Sequence, residues 1–358
     1  MSAAELWTRL AAAGRVEGEQ PPAAAAESPW YVRAMLGAAG WIGALFLAVF
    51  IATAFYFIVD DSASAMIAGA IFCGAAFGLF MRFDGNDFVE QFALVVSLLG
   101  QVMLGIGLAQ LLERQEAAFY LSVAAVEVVL ALAIPNFLHR VLAACGAAVA
   151  LALAINELQL HGLTAPILCA GLAWIWLDPA RWATGGSLWR PVGYGLVLAL
   201  LLVETFRLAG GPSLLGMATE RPGWIAIHGP LIGRGLTAAV LVWVAFALAR
   251  REGFAANGRV ALAAAGAALL LGLLSLGAPG FASALIVLLL GFAAGNRLLL
   301  ALGIFGLLGF VSHFYYSLHA TLLEKSGLLA ATGVLLLAAH FLLRRFHAAA
   351  AAPETADA

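Results

Sequence analysis

Charge is scarce in this chain of 358 residues. Asp, Glu, Lys and Arg together make up 11% of the sequence, and Lys325 is its single lysine. A soluble domain of average composition carries roughly a quarter charged residues, so the shortage excludes an ordinary water-soluble domain. The formal net charge is −2. Because no basic face is available to neutralise phosphates, a nucleic-acid partner is excluded as well.

Cysteine is also rare, and its placement argues against two kinds of site. Cys73, Cys145 and Cys169 each lie inside an apolar segment, and none belongs to a CxxC pair. A disulfide framework and a zinc site both need closely spaced or paired cysteines. We interpret the three residues as small buried apolar side chains.

Long apolar segments are what the chain does contain, at 64% hydrophobic residues overall. Crossing the hydrocarbon layer of a bilayer takes about 20 mostly apolar residues. The pattern predicts an all-α fold, a polytopic transmembrane helix bundle of about twelve spans. The predicted spans are 37–59, 63–81, 91–112, 118–135, 141–158, 163–177, 191–209, 235–249, 258–277, 279–294, 298–316 and 326–343. The lipid bilayer is therefore the first expected partner.

The chain divides into three predicted parts. Residues 1–36 form a short cytoplasmic amphipathic segment and linker, 37–343 the transmembrane helical domain, and 344–358 a short disordered cytoplasmic tail. With both termini in the cytoplasm, thirteen basic residues face that side and five the other, as the positive-inside rule requires. We expect a multi-pass protein of the bacterial inner membrane. The gap between Gly210 and Arg234 is predicted to be an interfacial loop.

Glu127 is the most central charged residue of any predicted span. A carboxylate at that depth costs about 2.5–3.5 kcal/mol on insertion scales, so it should face the bundle or a water-filled cavity. It is either a proton-binding carboxylate or a hydrogen-bonded side chain that ties two helices together. Glu204 lies nearer a span end, and we interpret it as snorkelling towards the interface. Gln101 and Asn156 are explained by interhelical hydrogen bonds.

The remaining polar residues give no pattern typical of an enzyme. No catalytic Ser–His, paired-Asp or HExxH arrangement is present. Asp60 and Asp61 are explained by a solvated turn better than by a cation site. The histidines His139, His161, His228 and His347 fall in predicted loops or tails without metal-ligand spacing. We expect neither an enzymatic activity nor a cofactor or metal.

The densest polar patch lies near the C-terminus. Its candidate functional residues are Tyr315, Tyr316, His319, Glu324, Lys325 and Ser326. They form either a site at the outer mouth of the bundle or an aromatic belt at the membrane surface followed by a solvated turn.

This segment also carries a family resemblance. Tyr315-Tyr316-x-Leu318-x-x-x-Leu322-Leu323-x-Lys325-Ser326-x-x-Leu329-x-x-x-Gly333 is similar to the C-terminal signature of a bacterial membrane family known as a domain of unknown function (number 4401). Leu6-Trp7, Gly14, Pro29-Trp30-Tyr31, Gly40-Trp41 and Leu45-Phe46 resemble the opening of that family. The resemblance extends from about residue 6 to 343 and implies a small membrane-associated partner protein with a GDYxxLxY motif. It implies no substrate and no catalytic residue.

Two functions follow as expectations. The first is a non-enzymatic component of a membrane complex that contains a small partner protein. The alternative is a secondary transporter or permease for a small solute, which twelve spans and a mid-membrane Glu127 would fit. Against the alternative, the sequence halves show no repeat and no matching pair of Gly- or Pro-broken helices.

Overall fold

The computed structural model describes residues 3–16, 29–54, 60–83, 86–113, 115–210, 223–255, 257–317 and 337. Within these ranges the chain is helical and contains no strand, so the all-α prediction is confirmed. The helices are α1 Ala3–Ala12, α2 Trp30–Ala54, α3 Ser62–Arg82, α4 Asp87–Leu112, α5 Glu116–Ala133, α6 Phe137–Glu157, α7 Thr164–Trp176, α8 Pro179–Leu208, α9 Trp224–Arg251, α10 Arg259–Ser275, α11 Phe281–Ala293 and α12 Arg297–Ser317.

The helices coincide with the apolar segments of the sequence. Each of the first eleven predicted spans overlaps one helix from α2 to α12. Seven helices, namely α3, α4, α5, α6, α8, α9 and α12, are long and apolar enough to cross a membrane. Shorter apolar stretches occur in α2, α7, α10 and α11. The twelfth predicted span, 326–343, lies outside the described residues except for Leu337. These helices give the chain the character of a multi-pass membrane protein.

Side-chain caps explain where three of these helices begin. The carboxylate of Asp61 accepts a hydrogen bond from the Ser64 amide at 2.9 Å at the start of α3. Asn136 caps α6, and Asp178 caps α8 immediately before Pro179. An N-cap side chain satisfies one of the amides that the first helical turn leaves unpaired. Asp61 therefore has a structural role, in agreement with its interpretation as a turn residue.

Two compact units, Met1–Gly107 and Leu108–Ala358, are described separately. In the first unit, α3 and α4 are in close contact through small residues. A Cβ atom added to Gly69 of α3 would lie 2.7 Å from the carbonyl oxygen of Gly100 in α4. Glycine permits this approach, which suits membrane helices because van der Waals contact, not exclusion of water, drives their association. The α2 helix contacts α4 through a 3.0 Å hydrogen bond from the Trp41 indole to Gln91.

The second unit is built around α7. Eight of its thirteen residues are buried, and α8, α9 and α11 pack against it. A helix that is apolar on all sides is expected in the interior of a bundle. Around this centre, α5 packs on α6, α6 on α8, α9 on α10, and α11 on α12. The largest fully buried side chains here include Leu172, Leu200, Leu241 and Ile286.

Several boundaries differ from the sequence predictions. The predicted interfacial loop between Gly210 and Arg234 is helical from Trp224 onward. This part belongs to α9, which contains Pro230 within the helix. The α8 helix starts at Pro179 and contains a kink at Gly185. His139 lies in α6 and His228 in α9, so placing them in loops was wrong.

Candidate functional site

A buried glutamate in α8 lies at the centre of a polar cluster in the second unit. Glu204 is only 3% exposed. Its Oε1 atom accepts a hydrogen bond of 2.8 Å from the hydroxyl of Ser283, which is itself 1% exposed and lies in the first turn of α11. The interpretation of Glu204 as a snorkelling residue was therefore wrong. Its side chain points into the bundle and joins α8 to α11.

Two arginines accompany this carboxylate. Arg207 lies one turn further along α8, and its Nη1 atom is 3.7 Å from Glu204 Oε2. That distance gives an ion pair but is too long for a hydrogen bond. Arg234 of α9 donates a 2.7 Å hydrogen bond to the carbonyl of Leu276 at the end of α10. It interacts electrostatically with both Arg207 and Glu204. The carboxyl group of Glu204 therefore faces two guanidinium groups, so basic side chains outnumber acidic ones in this cluster.

Two polar atoms of the cluster have unused hydrogen-bonding capacity. Glu204 Oε2 and Arg234 Nε are buried and have no hydrogen-bond partner among the residues that the structure describes. Buried polar groups are normally paired with protein or water, so these two atoms mark the polar centre of the cluster. Thr237 and Ser275 line a small pocket together with Glu204, Arg207 and Arg234, and we call it the Glu204 pocket. Their hydroxyls are already bonded to backbone carbonyls one turn earlier in their own helices.

A larger cavity of about 520 Å³ adjoins this cluster, and we call it the α6–α9 cavity. Its polar lining residues are Asn156 of α6, His161 of the connection before α7, Thr164 of α7 and Arg207 of α8. Most of the remaining wall is apolar. The volume falls in the range of 300–1,000 Å³ that is typical of small-molecule sites. Because Arg207 lines both the cavity and the Glu204 pocket, it connects the two.

Close backbone contacts shape one wall of the cavity. Gly162 belongs to the connection before α7, and a Cβ atom there would collide with the backbone of α9 at Gly229. A Cβ atom on Gly233 of α9 would in turn collide with the backbone of Gly162. The two segments therefore meet without side chains between them. Gly162 also has φ of 92°, in the left-handed region that favours glycine. Next to this contact, the Nδ1 atom of His161 is buried and has no hydrogen-bond partner within the described ranges.

Glu127, the candidate from sequence, lies in a different place. It is 8% exposed in α5 and faces α6, where a Cβ atom on Gly146 would lie 3.3 Å from its carboxyl carbon. Its Oε2 atom has no hydrogen-bond partner in the described part of the chain. Glu127 lines neither the Glu204 pocket nor the α6–α9 cavity. The expectation that it faces the bundle agrees with this position, whereas its role stays a prediction.

The C-terminal candidates are only partly described. Tyr315 and Tyr316 lie in the last turn of α12, with ring centroids 5.5 Å apart. Tyr316 is 80% exposed. The other four residues of that patch, His319, Glu324, Lys325 and Ser326, lie outside the described residues.

Sequence reasoning missed Arg207, Arg234 and Ser283 as members of a common cluster. The only local signal was Glu204 and Arg207, spaced for contact across one helical turn. Ser283 is 79 residues from its partner, and no spacing rule joins residues so distant in the chain.

Comparison with known proteins gives one match. A family model described as a domain of unknown function, DUF4401, matches residues 29–346. No curated protein and no solved structure matches the chain. The match therefore identifies a family without bringing a known activity.

Proposed function

This chain belongs to the DUF4401 family, a domain of unknown function, and we propose that it is a membrane transporter for a small organic anion. The α6–α9 cavity is the proposed binding site, and Arg207 is the proposed anion-binding residue. The observation that carries the proposal is the position of Arg207, which lines the cavity on one side and pairs with Glu204 on the other.

The lining of the cavity indicates the chemistry of the solute. Leu153, Leu202 and Phe206 contribute to an apolar wall, while Arg207 supplies a positive charge. An apolar body with a single anionic group fits both features. Ligand pockets commonly combine an apolar wall with a few polar groups that fix orientation. An ionisable residue within membrane-spanning segments is by default a functional hypothesis.

The pairing of Arg207 suggests how solute binding is coupled to a second charge. Glu204 Oε2 is 3.7 Å from the guanidinium and forms no hydrogen bond with it. An incoming anion competes with Glu204 for the same guanidinium, and Arg234 remains beside the carboxylate. Anion binding would therefore free Glu204 from Arg207 and leave it beside Arg234, so solute binding would rearrange this buried pair.

Binding of a charged probe tests the proposal. Hexanesulfonate stays ionised at every working pH, and hexanesulfonamide is its neutral counterpart. We expect the purified full-length protein in mild detergent to bind the sulfonate, measured calorimetrically, and to bind the sulfonamide much more weakly. Loss of one hydrogen bond to a charged group is worth about 1.5–3 kcal/mol, so R207Q should weaken sulfonate binding about tenfold or more.

A matched control is available in the same helix. Arg181 also pairs with a carboxylate three residues away, Asp178 at 3.4 Å, but lines neither pocket described above. R181Q should bind hexanesulfonate as the wild type does. Equal binding of sulfonate and sulfonamide, or wild-type binding by R207Q, would refute the anion site. In proteoliposomes, the wild type should take up hexanesulfonate and R207Q should not. Uptake by R207Q at the wild-type rate would refute transport through this site.

Membership in a membrane complex is the second candidate function. It is supported by Tyr316, which is 80% exposed near the end of α12 and is the second residue of the segment that resembles the family signature. We propose that this segment binds a small membrane-associated partner. Purification of the tagged protein from native membranes should recover a stoichiometric small protein, and Y316A and K325A should lose it. Y31A changes an exposed tyrosine of α2 and should retain it. Elution of the wild type alone would refute this function.

A further inference from the structure

A second cavity of about 640 Å³ carries three arginines from three helices. Arg190 belongs to α8, Arg251 ends α9 and Arg297 begins α12. All three are exposed. Among the described residues that line this space, none is Asp or Glu. We call it the arginine cavity. Its charge is strongly positive, in a chain whose formal net charge is −2.

Aromatic side chains form a fixed wall beside these charges. Trp176, Trp182 and Tyr194 line the cavity, with ring centroids 4.4 Å apart for the two tryptophans and 5.7 Å apart for Trp176 and Tyr194. The hydroxyl of Tyr194 accepts a 2.6 Å hydrogen bond from Asn296. Asn296 also accepts bonds from the amides of Leu298 and Leu299 at the start of α12. The wall is therefore held in place without using the arginines.

The cavity lies at one end of the bundle. Its residues come from the end of α7, from α8 between Pro179 and Tyr194, from the end of α9, and from the segment Ala294 to Leu298, which leads into α12. Tryptophan and tyrosine concentrate at the level of lipid headgroups. Leu298 lines the cavity and is 57% exposed, so apolar surface continues outward from the charged region. The positive-inside count predicts the cytoplasmic side for this end, and anionic lipids give that leaflet its negative surface potential.

We propose that the arginine cavity binds the phosphate of an anionic phospholipid headgroup, with the acyl chains lying against the neighbouring apolar helix surface. The guanidinium group presents paired donors that match phosphate oxygens, and a phosphate is the anion that several arginines bind together. Basic pockets between spans on the cytoplasmic side are suited to anionic headgroups. The site is separate from the α6–α9 cavity and does not depend on the transport proposal.

Selective lipid retention tests this assignment. The full-length protein is purified in mild detergent, exposed to equal amounts of phosphatidylglycerol and phosphatidylcholine, and examined by native mass spectrometry. We expect phosphatidylglycerol to be retained at least tenfold over phosphatidylcholine. R251Q should reduce that preference about threefold, because an exposed ion pair contributes up to about 1 kcal/mol. The triple variant R190Q/R251Q/R297Q should abolish it, and all three positions are exposed, so folding is expected to survive.

Arg250 provides the matched control. It precedes Arg251 but does not line the cavity, and its side chain bonds the carbonyl of Phe254 at 3.1 Å. R250Q removes the same charge and should keep the lipid preference. An equal loss in R250Q and R251Q, or an unchanged preference in the triple variant, would overturn the proposal. A third result would also overturn it, namely binding of glycerol 3-phosphate in phosphatidylcholine micelles that depends on Arg251 and is as tight as that of the lipid. The occupant would then be a soluble phosphoester.

Discussion

Replacing Ser283 by alanine removes the hydrogen bond that joins α11 to the carboxylate of Glu204. The bond is 2.8 Å long, and both residues are almost completely buried. Hydrogen bonds to charged groups contribute about 1.5–3 kcal/mol in soluble proteins, whereas cycles between membrane helices average about 0.6 and reach about 1.7 kcal/mol. Because S283A removes the hydrogen bond to the buried Oε1 atom of Glu204, we expect a loss of about 1–2 kcal/mol in the free energy of unfolding.

Reversible unfolding in mixed detergent micelles measures this loss. Ser275 offers the matched control, because it is also buried but its hydroxyl bonds only the carbonyl of Gly272 at 2.6 Å in its own helix. S275A should cost much less than S283A. A cycle that combines S283A with E204A isolates the pairwise energy, because alanine leaves the Ser283 hydroxyl without this acceptor. Equal losses in S283A and S275A, or additive effects of S283A and E204A, would show that the bond between the helices contributes nothing.

Three other predictions concern the two units separately. G69L should disrupt the contact between α3 and α4 and lower the melting temperature, because overpacking costs about 1–3 kcal/mol; G74A should not, since nothing lies within 4 Å of a Cβ atom there. Hydrogen bonds from Ser64 lower the pKa of Asp61, so the cap contributes above the normal aspartate pKa and is lost as the pH falls through the lowered one. The hydrogen-exchange protection of the Ser64 amide should decrease over that pH range. In D61N the asparagine also caps the helix but does not titrate, so this pH-dependent decrease should be absent. E127Q should leave hexanesulfonate affinity unchanged, since Glu127 lines neither pocket next to Arg207; a tenfold change would contradict that separation.

Hydrophobic segmentation predicted the helices well because each span needs a long apolar run whatever its neighbours are. It placed eleven segments on helices α2 to α12. It failed at α9, which extends back to Trp224 through a stretch that contains His228, Gly229 and Pro230. Proline removes one intrahelical hydrogen bond, and in bundles neighbouring helices compensate for this. Such compensation depends on tertiary contacts and leaves no trace in hydropathy.

The candidate site shows a different limit. Depth along a helix is visible in the sequence, and it identified Glu127 correctly as an interior carboxylate. The direction in which a side chain points is not visible in a segment that is apolar on every face. Glu204 is close to its helix end, but its side chain still points inward, because Ser283 donates a hydrogen bond to it and Arg207 pairs with it there. Only the packing of α8 against α11 supplies that information.

The length of α7 has a consequence for the membrane potential. Its first residue, Thr164, lines the α6–α9 cavity, and its last, Trp176, lines the arginine cavity. Thirteen residues span about 20 Å, compared with about 30 Å for the hydrocarbon layer. If water and ions fill both cavities, the voltage falls mainly across this shorter distance, and the local electric field rises by about half. The energy of one elementary charge that moves between the two cavities would change by about 2.3 kcal/mol per 100 mV of membrane potential. The movement would take place over fewer than four turns of helix.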